Sequence, residues 1–298
     1  MSTGTPVSAG TDVTSGAAAS ARAPSRRRET FDRTWLLWMV TVFVLVLMLL
    51  PVAVVVLFSL NSQSSLIVFK HPSLIWYRTL LHDSAMLGSL RISVEIAVLA
   101  AVASLILGTL LAFGMQRGSR AGSGASGSMV FLRLVTPETA TAASLFLLFT
   151  QLHVTLSFWT IVVGHVALCT AFVAVVVRSQ LSGLNREVEF AAQDLGARRL
   201  GALWLVVIPQ LRWTLVSAGL LAFVLSFDDF VTTYFTAGVG PQPLPLRIYS
   251  MLRFGVTPEV NAAGIAMLVV VGFVLSLAAL CLFFIRRRAG GRALGIGR

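Results

Sequence analysis

Four acidic residues interrupt otherwise apolar stretches of this chain, and their carboxylates are the groups best suited to handling a charged ligand. They are Glu95, Glu138, Asp228 and Asp229. An acidic residue within a membrane-spanning helix costs about 2.5 kcal/mol or more on insertion scales, so it usually faces a cavity or a partner. Because an unpaired buried charge is expensive, a cation crossing such a region needs compensating negative charge. The four residues are therefore our candidates for lining a cation path.

Each of these residues also has a structural alternative. Arg91 and Glu95 are four residues apart and can form an ion pair along one helix face. Asp228 and Asp229 are adjacent and point about 100° apart on a helix, so one can bond the helix backbone while the other faces a path. Glu138 directly follows a proline and can equally mark the start of a helix.

Aromatic side chains surround the Asp pair in the sequence. An organic cation could contact their rings through cation–π interactions, although aromatics at this spacing are more often packing residues. They are Phe227, Phe230, Tyr234 and Phe235.

A second candidate region runs from Glu187 to Pro209 and has the sequence EVEFAAQDLGARRLGALWLVVIP. Its first part is rich in helix-forming residues, and Gly196 permits a left-handed helix end. An apolar and basic segment follows and stops at the proline. The pattern predicts two short helices joined by a turn, with Ala191 and Ala192 small enough for another surface to approach. An ordinary amphipathic loop at the membrane interface is equally consistent with this spacing.

Six apolar segments are long enough to hold these residues in a bilayer, since about 20 apolar residues cross its core as a helix. Of the 298 residues, 56% are hydrophobic and only 12% are charged, against about 25% charged in a soluble domain. The predicted spans are residues 35–59, 86–115, 130–150, 158–177, 213–237 and 262–285. We therefore predict an all-α integral membrane protein with six transmembrane helices.

The arginines indicate the orientation of these spans. With the N-terminus inside, all but five of the 23 lysine and arginine residues lie on the cytoplasmic side, as basic residues do in membrane proteins. Both termini are therefore predicted to be cytoplasmic. Counting 1.5 Å per residue along the helices then places Asp228, Asp229 and Glu95 in an outer layer and Glu138 nearer the cytoplasm.

The flanking regions differ from the spans in composition. Residues 1–33 are rich in Ser, Thr, Ala and Gly and are predicted to be a disordered cytoplasmic tail. The six-helix domain is predicted over 34–287, with a short cytoplasmic tail at 288–298. The loop 116–129 is predicted to be a flexible Gly/Ser linker.

Composition also argues against several other classes of protein. The net charge is +11, but the arginines cluster at the ends of apolar segments and form no basic–aromatic surface for nucleic acid. Cys169 and Cys281 have neither metal-ligand nor disulfide spacing, so no metal site is predicted. A membrane-embedded enzyme would need a clustered nucleophile and base, whereas the spans offer only carboxylates.

The region at 186–209 resembles the cytoplasmic signature of binding-protein-dependent ABC importer permeases. In that family Glu-Ala-Ala is followed by three residues and Gly, then by nine residues and Ile-x-Leu-Pro. Phe190 stands at the position of the motif Glu, with Glu189 beside it. The residues that match the signature are Ala191, Ala192, Gly196, Val206, Ile208 and Pro209.

Two further stretches resemble the spermidine/putrescine branch of these permeases. They are SFDDFVTTYFTAG (226–238) and LPLRIYSMLRFGVTPEVNA (244–262). The resemblance implies that the cytoplasmic loop docks in a groove of a separate ATPase subunit. The residues implied in this coupling are Glu189, Phe190, Ala191, Ala192, Asp194, Gly196, Ala197, Ile208 and Pro209.

The resemblance further implies the partners. They are a pair of ABC ATPase subunits that bind ATP and Mg²⁺, a second homologous permease, an extracytoplasmic solute-binding protein and the bilayer of the bacterial inner membrane. No cofactor is expected in this chain, which is not expected to be an enzyme: its one lysine, Lys70, lies outside any phosphate-binding loop motif. The implied cargo is a small organic cation, a polyamine. Another small solute, such as an amino-acid derivative or an organic anion, a purely structural membrane role and, more distantly, a membrane-embedded enzyme remain as alternatives.

Overall fold

The computed structural model describes residues 27–64, 68–240 and 242–293, with side chains described between 34 and 280. Within these residues the chain contains helices and connecting loops and no β-strand, which confirms the predicted all-α class. The helices are α1 (Arg27–Ser59), α2 (Ile75–His82), α3 (Ser84–Arg117), α4 (Arg120–Val135), α5 (Glu138–Gln151), α6 (Phe158–Ser182), α7 (Glu187–Asp194), α8 (Arg199–Ala202), α9 (Ile208–Phe227), α10 (Val231–Thr236), α11 (Leu244–Arg253) and α12 (Pro258–Ala293).

Five helical segments among the described residues are long and apolar enough to cross a membrane, or six if one bent pair counts as a span. They overlap the predicted spans, but the third differs from the prediction. Instead of one helix over 130–150, α4 and α5 meet at an angle of 108°. The bend follows from Pro137, because a proline disfavours a helical conformation in the residue before it.

The ends of the six-helix domain also differ from the prediction. Helix α1 begins at Arg27, inside the segment predicted to be disordered, and α12 continues to Ala293, inside the predicted C-terminal tail. Arginine and alanine are good helix formers, so a spanning helix extends readily beyond its apolar part. Residues 1–26 and 294–298 lie outside the described residues.

The first compact unit of the chain comprises residues 1–52, and its described part is the N-terminal portion of α1. From residue 34 onward this portion is apolar and exposed on every face. A helix that is hydrophobic all round is suited to surroundings of lipid or other helices.

The segment predicted to be a flexible linker is mostly helical. Helix α3 runs to Arg117, and α4 begins three residues later. The Ser119 hydroxyl accepts a hydrogen bond from the Gly122 amide at 3.2 Å and so caps the new helix. The Ser123 hydroxyl donates to the Met115 carbonyl at 2.5 Å. These side-chain contacts stabilise a helix that the glycine content alone disfavours.

Helix α3 is central to the second unit, which comprises residues 53–298, and it packs along α6 and α9. Its buried face is lined with small residues such as Ala97, Ala101 and Ala112. At Gly108 the partner helix comes so near that an added Cβ would lie 2.6 Å from Val173 Cγ1. Small residues allow helices to approach closely where no water drives their association.

Candidate functional site

The fifth predicted span is broken at the Asp pair. Helix α9 ends at Phe227, and the short helix α10 begins at Val231, so 213–237 is not one continuous helix as predicted. The break frees backbone groups that side chains must satisfy. Asp229 Oδ1 accepts a hydrogen bond from the Thr232 amide at 2.9 Å, in the first turn of α10. Asp229 is 6% exposed, so it is held in the protein interior at the break.

A buried histidine connects this break to α6. His165 Nδ1 lies 2.7 Å from Ser226 Oγ, and its Nε2 lies 3.0 Å from Thr233 Oγ1. The Thr233 hydroxyl donates to the Asp229 carbonyl at 2.7 Å, so its oxygen is free to accept from Nε2–H. His165 Nε2 is also 3.7 Å from Asp229 Oδ2. The imidazole therefore holds both sides of the break in place.

Glu138 lies close to Asp229. It begins α5, as its position after Pro137 suggested, and its side chain interacts with the Asp229 carboxyl. The prediction that Glu138 lies at a different depth from the Asp pair is therefore wrong. Counting residues along straight helices fails here because α5 starts at a bend and α10 starts at a break.

The other predicted path residues lie outside this pair. Asp228 is exposed at the end of α9 and is near enough to Glu138 to interact electrostatically. Glu95 accepts a hydrogen bond from Arg91 Nε at 2.7 Å, which confirms the predicted pairing along α3. The structure thus brings together Glu138, Asp228 and Asp229, while the Glu95 carboxylate is engaged by its own helix.

Asp229 Oδ2 accepts no hydrogen bond within the described part of the chain. A buried carboxylate oxygen of this kind is costly unless a proton, a water or a cation meets it. With Glu138 next to it, the break concentrates negative charge at one point. This geometry is suited to attracting a positively charged group.

Aromatic rings lie beside the same break. Phe230 lies 4.7 Å from Tyr249 and 5.5 Å from Tyr234, measured between ring centroids. Phe227, in contrast, is fully buried and stacks on Phe223 at 5.7 Å, so it is a packing residue.

Tyr249 was missed by sequence reasoning because α11 lies between two predicted spans, in a region that the sequence did not connect with Asp229. Helix α11 is tied to α3, since the Leu244 amide donates to Ser93 Oγ at 2.7 Å. Arg253, four residues after Tyr249, lies over its ring at 5.4 Å. The four-residue spacing of Tyr249 and Arg253 was the one signal in the sequence that their side chains share a helix face.

The stretch implied in coupling forms the two short helices joined by a turn that its sequence predicts. Helix α7 ends before Gly196, whose φ of 94° confirms the predicted left-handed end. The Ala197 amide donates to the Ala192 carbonyl at 3.1 Å and closes the turn. Most of the segment is exposed, including Ala191, Asp194 and Leu195.

The second short helix does not stop at Pro209 as predicted. Helix α8 continues through a π-helical turn at Leu203–Val207 into α9, which carries Pro209 in its first turn. A proline lacks an amide proton and clashes with the carbonyl four residues earlier. The wider π-helical turn relieves this clash, and a proline is tolerated at the start of a helix.

Two arginines join α7 to the end of α3. Arg117 Nη1 lies 2.5 Å from Glu189 Oε2, with side-chain exposures of 18% and 16%. Arg186 Nη2 donates to the Gln116 carbonyl at 2.6 Å. Glu189 is therefore directed toward the chain itself, whereas Phe190 is 57% exposed.

Solved structures with a similar fold are membrane transporters. A chain of a bacterial ABC transporter involved in the import of the acidic polysaccharide alginate has a TM-score of 0.63 at 18% identity, covering 89% of this chain and 100% of that one. A chain of an amino acid ABC transporter has a TM-score of 0.55 at 15% identity, covering 72% and 98%. The fold is therefore that of the membrane subunits of ABC transporters.

No family model matches the chain, but curated relatives define its family. The Escherichia coli K12 putrescine transport system permease protein PotI is 40% identical over 232 residues, which are 75% of this chain and 82% of PotI. The Haemophilus influenzae spermidine/putrescine transport system permease protein PotC is 35% identical over 220 residues, covering 74% and 86%. The chain belongs to the ABC importer permease family and resembles its spermidine/putrescine branch. It is a multi-pass inner-membrane transport subunit.

Proposed function

We propose that this chain is a permease subunit of an ATP-driven importer whose cargo is a polyamine such as putrescine or spermidine. The observation that carries the proposal is the pair of carboxyl groups of Glu138 and Asp229 at the helix break. Family membership supports the transport role, and PotI and PotC are described as polyamine permeases.

The carboxyl pair suits an ammonium group. At an effective dielectric constant of about 20, unit charges of opposite sign about 4 Å apart attract by about 4 kcal/mol. Asp229 Oδ2 has no hydrogen-bond donor within the described residues, so an ammonium can bond it without displacing one. Binding must also be weak enough for release, as conduction through a site requires. Partial exposure of Glu138 and Asp228 meets that requirement, because water screens their charge.

The aromatic cluster of Phe230, Tyr234 and Tyr249 suits the remainder of the cargo. Its rings offer apolar surface for methylene groups, and cation–π contacts for a second ammonium are worth about 0.5–2 kcal/mol each. A polyamine alternates charged and apolar groups along one flexible chain. Carboxylates next to aromatic rings match this alternation.

The assembly follows from the same proposal. The exposed residues of α7 and the turn at Gly196 dock on a partner ATPase, which binds ATP and Mg²⁺, and a second homologous permease completes the pathway. A solved alginate ABC transporter of similar fold is in complex with a cargo-bound periplasmic protein, and we assign a comparable solute-binding protein to this chain. We assign both termini and α7 to the cytoplasmic side, because basic residues concentrate on that side of membrane proteins.

The test is cargo uptake by the complete complex in proteoliposomes. The panel comprises labelled putrescine, spermidine, an amino-acid derivative and an organic anion, each with its binding protein and ATP. We expect ATP-dependent uptake of putrescine or spermidine and none of the anion. Uptake of another solute in place of polyamines would refute the cargo, and uptake of no solute despite ATP hydrolysis would refute the transport role.

A further inference from the structure

Glu189 stands beside the position that is acidic in the family signature, but the structure does not leave it free for a partner. Its carboxylate lies 2.5 Å from Arg117 Nη1, and both side chains are more than four-fifths buried. The neighbouring Phe190 occupies the motif position and is the exposed one. The Glu189 carboxylate therefore points toward the end of α3 and not toward solvent.

The Arg117 guanidinium is fixed from a second direction. Its Cζ lies 5.2 Å from the centroid of the Phe113 ring, one turn earlier on α3. A planar guanidinium that stacks on a ring and pairs with a carboxylate loses little freedom on binding. The position of the guanidinium is therefore set by α3 as well as by Glu189.

A second link reinforces the first. Arg186, immediately before α7, donates to the Gln116 carbonyl at 2.6 Å. This carbonyl belongs to the last turn of α3, where the helix has no further amides of its own to offer and a cation is favourable. Arg117 of α3 and Arg186, which precedes α7, thus join the start of α7 to the end of α3.

The other end of α3 is fastened as well. The Leu244 amide at the start of α11 donates to Ser93 Oγ at 2.7 Å, and Arg247 Nη2 lies 3.7 Å from Asp83 Oδ2. Helix α11 carries Tyr249, which contacts Phe230 at the helix break. A displacement of α7 that is passed to α3 is therefore passed on to the candidate cargo site.

We propose that Arg117 and Glu189 form a brace that transmits movement of α7 to α3, and that Phe190 is the residue presented to the ATPase. This inference rests on the proposed function, since it concerns how ATP hydrolysis elsewhere reaches the cargo site. Arg117 and Glu189 are positioning residues in this account.

The test uses the complete reconstituted complex with Arg117→Gln, Glu189→Gln and the charge swap Arg117→Glu/Glu189→Arg. Both single variants should retain the bound ATPase and its basal hydrolysis but import at least tenfold less cargo per ATP. The swap restores an ion pair between the same two positions and should return the ratio to within about threefold of the parent. Arg120→Gln removes an exposed arginine near the end of α3 and should match the parent.

Three results would overturn the brace. One is a single variant that imports as much cargo per ATP as the parent. Another is loss of ATPase co-purification in Glu189→Gln, which would place Glu189 at the partner interface. The third is a swap that fails to recover coupling. Failure of the proposed cargo is seen separately, because the parent itself then imports no putrescine; the ratio is then measured with the solute that the parent does import.

Discussion

At the scale of single residues, the two carboxylate oxygens of Asp229 differ: one bonds the backbone, and the other accepts no hydrogen bond within the described residues. Its Oδ1 accepts a hydrogen bond from the Thr232 amide at the start of α10, while its Oδ2 lies 3.7 Å from His165 Nε2. An asparagine at this position would keep an oxygen that accepts a hydrogen bond from the Thr232 amide and would lose the negative charge. The two roles can therefore be separated by one substitution.

Gly196 offers a residue-level prediction about coupling. With a φ of 94°, the backbone there excludes proline, whose φ is fixed near −65°, and tolerates asparagine. Gly196→Pro also removes the amide that donates to the Gln193 carbonyl at 2.9 Å. We expect Gly196→Pro to abolish cargo-stimulated ATP hydrolysis, with Gly196→Asn within about twofold of the parent. Cargo-stimulated ATP hydrolysis at the parent level in both variants would show that this turn plays no part in coupling.

Residue patterns predicted some of these features and not others. The end of α7 at Gly196 and the Arg91–Glu95 pair depend on neighbours within four residues, so the sequence was sufficient for both. The contact between Glu138 and Asp229 joins distant parts of the chain and depends on how α10 packs against α5. No local pattern carries that information. The roles assigned to these side chains in transport stay predictions.

At the scale of helices, hydropathy located the spans and missed their interruptions. An apolar window averages over Thr136–Pro137 and over Asp228–Phe230, although the helix is broken at both points. The reverse error occurred at 120–135, where glycine content predicted a linker and the capping contacts of Ser119 and Ser123 stabilise α4. In both cases a few hydrogen bonds decide the local structure, and composition does not record them.

The close approach of α3 and α6 gives a prediction at this scale. An added methyl group at Gly108 would lie 2.6 Å from Val173 Cγ1, whereas at Gly88 on the same helix nothing lies within 4 Å. Overpacking of this kind costs about 1–3 kcal/mol. Gly108→Ala should lower the thermal unfolding midpoint of the purified complex by several degrees, with Gly88→Ala unchanged. An unchanged midpoint in both would mean that the helices are not packed this closely.

At the scale of the whole molecule, α3 connects the two regions that a transporter must link. Its Arg117 end meets α7, and its other end is hydrogen-bonded to α11, whose Tyr249 contacts the helix break. Helix α3 therefore links the proposed ATPase contact to the proposed cargo site. We infer above all that cargo passes the carboxyl pair of Glu138 and Asp229.

The most direct measurement of that claim is uptake of labelled putrescine by reconstituted complexes carrying Glu138→Gln, Asp229→Asn or Asp228→Asn. Glu259→Gln, which removes a carboxylate from the first turn of α12, is the control. We expect at least tenfold lower uptake for Glu138→Gln and Asp229→Asn, a smaller loss for Asp228→Asn, which lies outside the Glu138–Asp229 pair, and the parent rate for the control. Parent-rate uptake by correctly inserted Glu138→Gln and Asp229→Asn complexes would contradict the carboxylate path.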